Sequence, residues 1–246
     1  MSDLARYWPA ALPASLRETL EAAYADPGRG YHDRLHLTEV LTHVDELMAP
    51  DDPAREPVLL AAWFHDAVYD GRGDDEERSA QLALSSLGDS PLGPEVARLV
   101  RLTASHRPAD DDHAGQVLCD ADLGILAADP DRYASYVRGV RREYAHVPDA
   151  DFAAGRAAVL RDLLAKPTLF HTDPARDRWE TRARANVGAE LAQLCRPLRP
   201  RCTLRWGSPD HRRRQSGRSR DLRWADAAAR GRRREHHGEP ARRLVA

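Results

Sequence analysis

From Leu12 to Cys195, apolar residues recur at three- and four-residue steps, and no stretch alternates apolar and polar side chains between hairpin turns. Leu12, Leu16, Leu20, Ala23 and Tyr24 form one such stripe, and Val40, Val44 and Leu47 form another after Asp33. Breaks at Pro27-Gly28-Arg29-Gly30, Pro50-Asp51-Asp52-Pro53, Gly71-Arg72-Gly73, Gly88-Asp89-Ser90-Pro91 and Arg107-Pro108 punctuate the pattern. They leave helices of about 12 to 20 residues. Further helices are expected over 113–127, 130–145, 149–165 and 175–195. The expectation is an all-α domain over residues 1–196, built of orthogonally packed helices without internal repeats.

Composition narrows the class. The chain has 246 residues, 31% charged and 42% hydrophobic, as in a soluble globular protein. Its longest apolar run, Val58 to Phe64, is far short of the about 20 residues a membrane span requires. The N-terminus has no cationic segment leading into an apolar one, so no secretory signal is read and a cytoplasmic location is expected. Cys119, Cys195 and Cys202 are odd in number and lack CxxC spacing, which fits reduced thiols.

The net charge of −2 hides an asymmetry. Residues 197–246 hold 15 Arg and no Lys against 5 acidic residues, while the rest of the chain holds 22 basic and 34 acidic residues. The Arg-rich segment lacks the apolar pattern that would offset its chain entropy, so it is expected to be a disordered tail. Arg clusters also neutralise phosphates, which leaves a nucleic-acid-binding arm as the alternative reading.

Within the helical body, the informative residues are polar groups where core side chains belong. His36 precedes Val40 and Val44 on one stripe, and His65-Asp66 ends the most apolar run. Asp122 has Leu118 four residues before it and Ile125 and Leu126 three and four after it, so its carboxylate falls on an apolar face. A buried, unpaired carboxylate costs several kcal/mol and therefore requires a cation or strong donors. Taken singly, such residues are ordinary hydrogen-bonded core groups. Two histidines and two aspartates from three helices supply the ligands that divalent transition metals prefer. Asp120 is held as a reserve ligand, although it lies about 200° from Asp122 around the helix.

The order His36, then His65-Asp66 within the run from Ala62 to Asp70, then Ala121-Asp122 within the run from Leu118 to Leu123, resembles the HD-domain superfamily of metal-dependent phosphohydrolases. Tyr31-His32 with His36-Leu37, the run Asp75 to Ala80, Thr103 with His106, Val140 to Tyr144, Gly155-Arg156, and Glu180 with Ala183, Arg184 and Asn186 are similar to a bacterial branch of predicted phosphohydrolases. The likeness covers roughly residues 5–195. It implies an HD-type helical bundle holding a divalent ion, with Mn, Fe, Co, Ni, Mg and Zn all compatible with the ligands. It also implies a small phosphorylated substrate, a nucleotide or related ester or anhydride, cleaved by a metal-activated water.

Further site residues follow with alternatives. Asp70, four residues after Asp66, is an acid/base candidate if the helix continues, and Glu76 is a second; the alternative for both is a solvated cluster at the Gly71/Gly73 turn. His32, four residues before His36 and on its helix face if the helix begins early enough, is read as a contact to phosphate or to a metal-bound water, or else as a capping residue. His106 would contact substrate or a second metal, or merely end a helix beside Pro108. The resemblance assigns Arg141, Arg156 and Arg184 to phosphate, whereas local pairing with Glu143 or Glu180 is the structural alternative. Two other functions stay open: an HD-fold di-iron oxygenase, which needs additional histidine ligands, and a non-catalytic binder of nucleotide or nucleic acid.

Overall fold

Burial begins with the segment after Pro53, which is apolar on nearly every side and so becomes the central helix. In the computed structural model, which describes residues 4–71 and 73–195, this helix is α3 (Arg55–Phe64). It packs against α2 (Arg34–Leu47), α4 (Asp75–Leu87), α5 (Leu92–Thr103) and α6 (His113–Leu123). With α1 (Ala14–Tyr24), these helices close a first core around Leu37, Leu41, Leu60, Trp63, Phe64, Leu99 and Leu118. A second core, built on Leu126, Tyr136, Leu160, Phe170 and Val187, joins α7 (Pro130–Glu143), α8 (Asp149–Ala165) and α9 (Asp173–Leu194). The 3-10 turn Gly124–Ala127 leads from α6 into that second core, and α9 packs on it.

The described residues contain helices and no strand, as the periodicity predicts. The expected helix at 149–165 coincides with α8, and 175–195 matches α9 to within two residues. The expected helix at 113–127 is instead α6 followed by the tighter 3-10 turn. Capping explains several starts: Asp33 accepts from the backbone N–H groups of Leu35 and His36, Asp112 from Gly115, and Thr172 from Ala175. Among the described residues no helix is long and apolar enough to cross a membrane. Cys119 is a buried free thiol and Cys195 an exposed one. The Arg-rich segment 197–246, with its expected disorder and its nucleic-acid reading, lies outside the described residues.

Two features fix α7 in place. A Cβ on Gly30 would lie 2.2 Å from the Gly139 carbonyl oxygen, so only glycine lets α7 close on the loop before α2. Arg156, fully buried, donates through Nε and Nη2 to Glu190 at 2.8 and 3.1 Å and to the Tyr136 hydroxyl at 2.9 Å. Tyr133 donates to the same Glu190 carboxylate at 2.6 Å. Removing one partner of a buried ion pair leaves the other charged in a dry interior. Glu190→Ala is accordingly expected to destabilise the protein by about 3–5 kcal/mol in urea unfolding. A change within experimental error would show that the pair does not organise the second core.

Candidate metal centre

Three separate segments bring the polar residues of the apolar faces to one point between the two cores. His36 stands one turn into α2, behind its Asp33 cap; His65 and Asp66 follow directly after α3; Asp122 lies in the last turn of α6. All four are buried, Asp66 being the most exposed at 6%. The His36 and His65 Nε2 atoms are 3.1 Å apart. Asp66 Oδ2 is 3.3 Å from the first and 3.0 Å from the second, and Asp122 Oδ1 is 3.3 and 3.6 Å from them.

The distances among His36, His65 and Asp66 fit a shared ion, and Asp122 stands beside that group. Donors about 2.1 Å from one metal lie about 3.0–3.4 Å apart at octahedral to tetrahedral angles. Asp66 Oδ2 and Asp122 Oδ1 are fully enclosed yet lack a hydrogen bond of proper geometry, which leaves two buried carboxylate oxygens facing the imidazoles without a donor. His36, His65 and Asp66 form a buried group that can hold a metal ion. Burial opposes protonation of the imidazoles, but the adjoining carboxylates outweigh it. His36 is raised to about 9, chiefly by Asp122 and Asp66, and His65 is held well above its ordinary value by Asp66. Burial likewise works against ionising Asp66 and Asp122, and the neighbouring imidazoles, His65 foremost, hold both well below the usual carboxylate range. A dication held by His36, His65 and Asp66 would therefore compete with protons for those atoms.

The surroundings orient each of these side chains. His65 Nδ1 donates to the Ala62 carbonyl at 2.8 Å, which directs Nε2 inward. His106 Nε2 donates to Asp122 Oδ2 at 2.8 Å, so the other oxygen, Oδ1, faces the imidazoles. His43 Nδ1 donates to the carbonyl of Ala121, beside Asp122, and its ring fills the space where a Cβ on Gly124 would stand. Arg29 is buried and donates to the carbonyls of His32, Asp66 and Ala67, holding the turn after α3 against the loop before α2. The Tyr31 ring lies 4.6 Å from that of His36.

The remaining candidates fall in different places. His32 precedes the α2 cap, so the loop rather than a shared helix face brings its ring to 5.6 Å from that of His36. Its Nδ1 donates to Glu143 at 2.8 Å. Asp120 is not brought to the cluster. The helix turns it the other way, where it accepts from the backbone N–H groups of His171 and Thr172 and from the Thr172 hydroxyl; burial still raises it to about 6. Asp70 does not share a helix face with Asp66, because α3 ends at Phe64; it is exposed and bound by both terminal nitrogens of Arg78. Glu76 stands half-buried in the first turn of α4.

The three arginines expected at phosphate serve as internal ties. Arg141 binds Asp149 and the carbonyls of Tyr144 and Val147. Arg156 is enclosed with Glu190, and Arg184 joins Glu180 to the carbonyls at the end of α8. Glu143, Arg29 and His43 received no site role from sequence. Arg29 lies in a Pro/Gly break, and His43 in the middle of α2, where neither spacing nor composition marks a site residue. Glu143 carried one signal, a carboxylate in the last turn of a helix, where the dipole disfavours it.

No family model, curated protein or solved structure matches the chain. The full-length protein is expected to take up one manganese, cobalt, nickel or zinc ion per chain by elemental analysis, and Asp122→Asn to lose it with its helical circular dichroism retained. His106→Gln is expected to weaken metal affinity by about 10- to 100-fold, since it frees the orientation of Asp122. Unaltered affinity in that variant would remove His106 from the centre.

Proposed function

We propose that this chain is an HD-type metal-dependent phosphohydrolase acting on a phosphate ester or anhydride of a small molecule, a nucleotide being the leading class. The observation that carries the reading is the pair of enclosed oxygens, Asp66 Oδ2 and Asp122 Oδ1, turned toward two imidazole Nε2 atoms without hydrogen bonds of their own. The resemblance in the order and flanks of these residues supplies the reaction class and the substrate class.

When bound, a divalent ion at such a site polarises a phosphoryl oxygen and makes the hydrolytic water more acidic. His36, His65, Asp66 and Asp122 are the residues that would hold it. His106 and the Ala62 carbonyl keep two of them in register, which avoids reorganisation during the reaction. Asp66 and His106 retain the residual exposure at the cluster, so substrate is expected to enter on their side. The nearness of His32 to the cluster supports giving it a hydrogen bond to a substrate oxyanion. His106, which a second iron would recruit, is engaged through Nε2 by Asp122, so the hydrolytic reading is preferred to the oxidative one.

The test is a screen of phosphorylated metabolites with the metal-loaded full chain, comparing wild type with His65→Ala and Asp66→Ala. Metal-dependent phosphate release by wild type is expected to fall to background in both variants while helical content persists. Phosphate release that survives either substitution would refute the assignment. Oxygen consumption without phosphate release would replace it with an oxygenase.

A further inference from the structure

Arg142 and Glu143, at the end of α7, grip the loop before α2 by opposite groups. Arg142 donates to the carbonyls of Arg29 and Gly30 at 2.6 and 3.2 Å. Glu143 Oε1 accepts the backbone N–H groups of Gly30, Tyr31 and His32 at 2.7, 2.7 and 3.0 Å. All three loop N–H groups converge on that single oxygen. Oε2 is turned elsewhere: it accepts from His32 Nδ1 at 2.8 Å and from the Tyr69 hydroxyl at 3.2 Å. The His32 ring stacks on Tyr69 with centroids 4.1 Å apart and planes 26° from parallel. The imidazole is thus clamped in the plane by a carboxylate and across the plane by an aromatic ring.

Burial would push the Glu143 carboxyl upward, but the His32 imidazole and the converging N–H donors outweigh it and hold the group near 2. A permanently ionised carboxylate can only accept, so it fixes a proton on Nδ1. Nε2 is then the ring nitrogen left for a ligand, and it has no protein partner among the described residues.

We propose that Glu143 is a positioning residue that holds His32 with Nδ1–H on its own Oε2, presenting Nε2 beside the His36, His65, Asp66 and Asp122 cluster to an oxyanion of a bound phosphate ester. This rests on the phosphohydrolase reading and extends it to a residue outside the ligand set. The role is distinct from loop anchoring because it acts through a different oxygen of the same carboxylate.

Two measurements on the full chain decide it. Long-range proton–nitrogen correlation NMR, with the His32 ring assigned by its loss in His32→Gln, is expected to show a protonated Nδ1. A ring protonated on Nε2 alone overturns the proposal, and that spectrum needs no Glu143 variant to fold. In the second, metal-loaded protein hydrolyses p-nitrophenyl phosphate. Glu143→Gln is expected to lower kcat/KM by about 10- to 100-fold, as loss of an orienting partner does. In the His32→Gln background the same substitution should add nothing, because the two residues act as one unit. Additive losses would mean that Glu143 only anchors the loop. Wild-type protein inert toward every phosphate ester removes the oxyanion role together with the phosphohydrolase reading. Phosphate release accompanied by additive variants, or by an unprotonated Nδ1, removes the role of Glu143 alone.

Discussion

Two carboxylates taken out of water, each turning an enclosed oxygen toward a pair of imidazoles, set the terms for the middle of this protein. Apolar helices bury Asp66 and Asp122 because His65-Asp66 terminates the most hydrophobic segment and Asp122 shares a face with Leu118 and Ile125. A lone buried carboxylate is destabilising by several kcal/mol, so this arrangement persists only with positive charge supplied by imidazolium or by a metal ion. The stability of the core and the chemistry of the site are therefore the same electrostatic problem.

The contrast between Asp120 and Asp122 shows how narrowly the helix directs that problem. Two residues apart in α6, they face different elements: one binds the start of α9, the other meets α2 and the turn after α3. Asp120 is compensated by two backbone N–H groups and a hydroxyl, a neutral solution. Asp122 is compensated on one oxygen by His106 and faces the His36 and His65 imidazoles with the other, which has no hydrogen bond. Around them, Arg29, His43 and Glu143 hold backbone groups of the ligand-bearing segments, so the positions of the four side chains depend on loops as much as on helices.

Much of this was legible in the sequence. The apolar stripes located the helices, and polar residues on those stripes located His36, His65, Asp66 and Asp122, because burying such groups needs a reason that can be read from spacing. The reasoning lost its hold where helical geometry did. The shared face of Asp66 and Asp70 presumed a helix that stops at Phe64, and the shared face of His32 and His36 presumed one that starts only after Asp33. Arg141, Arg156 and Arg184 were legible as cations, yet the choice between phosphate and protein partners depends on what lies opposite them. Opposite them the structure places Asp149, Glu190 and Glu180.

Local periodicity determined that the chain is helical, where most helices run, and which polar side chains face inward, since these depend on a geometry that repeats every few residues. Only the tertiary structure decided that residues 36, 65 and 66 converge with Asp122 beside them, that His106 and Glu143 orient their neighbours, and that Asp120 turns away. Those outcomes depend on contacts between segments far apart in the chain, such as Glu143 with His32, whose distance in space no periodicity encodes.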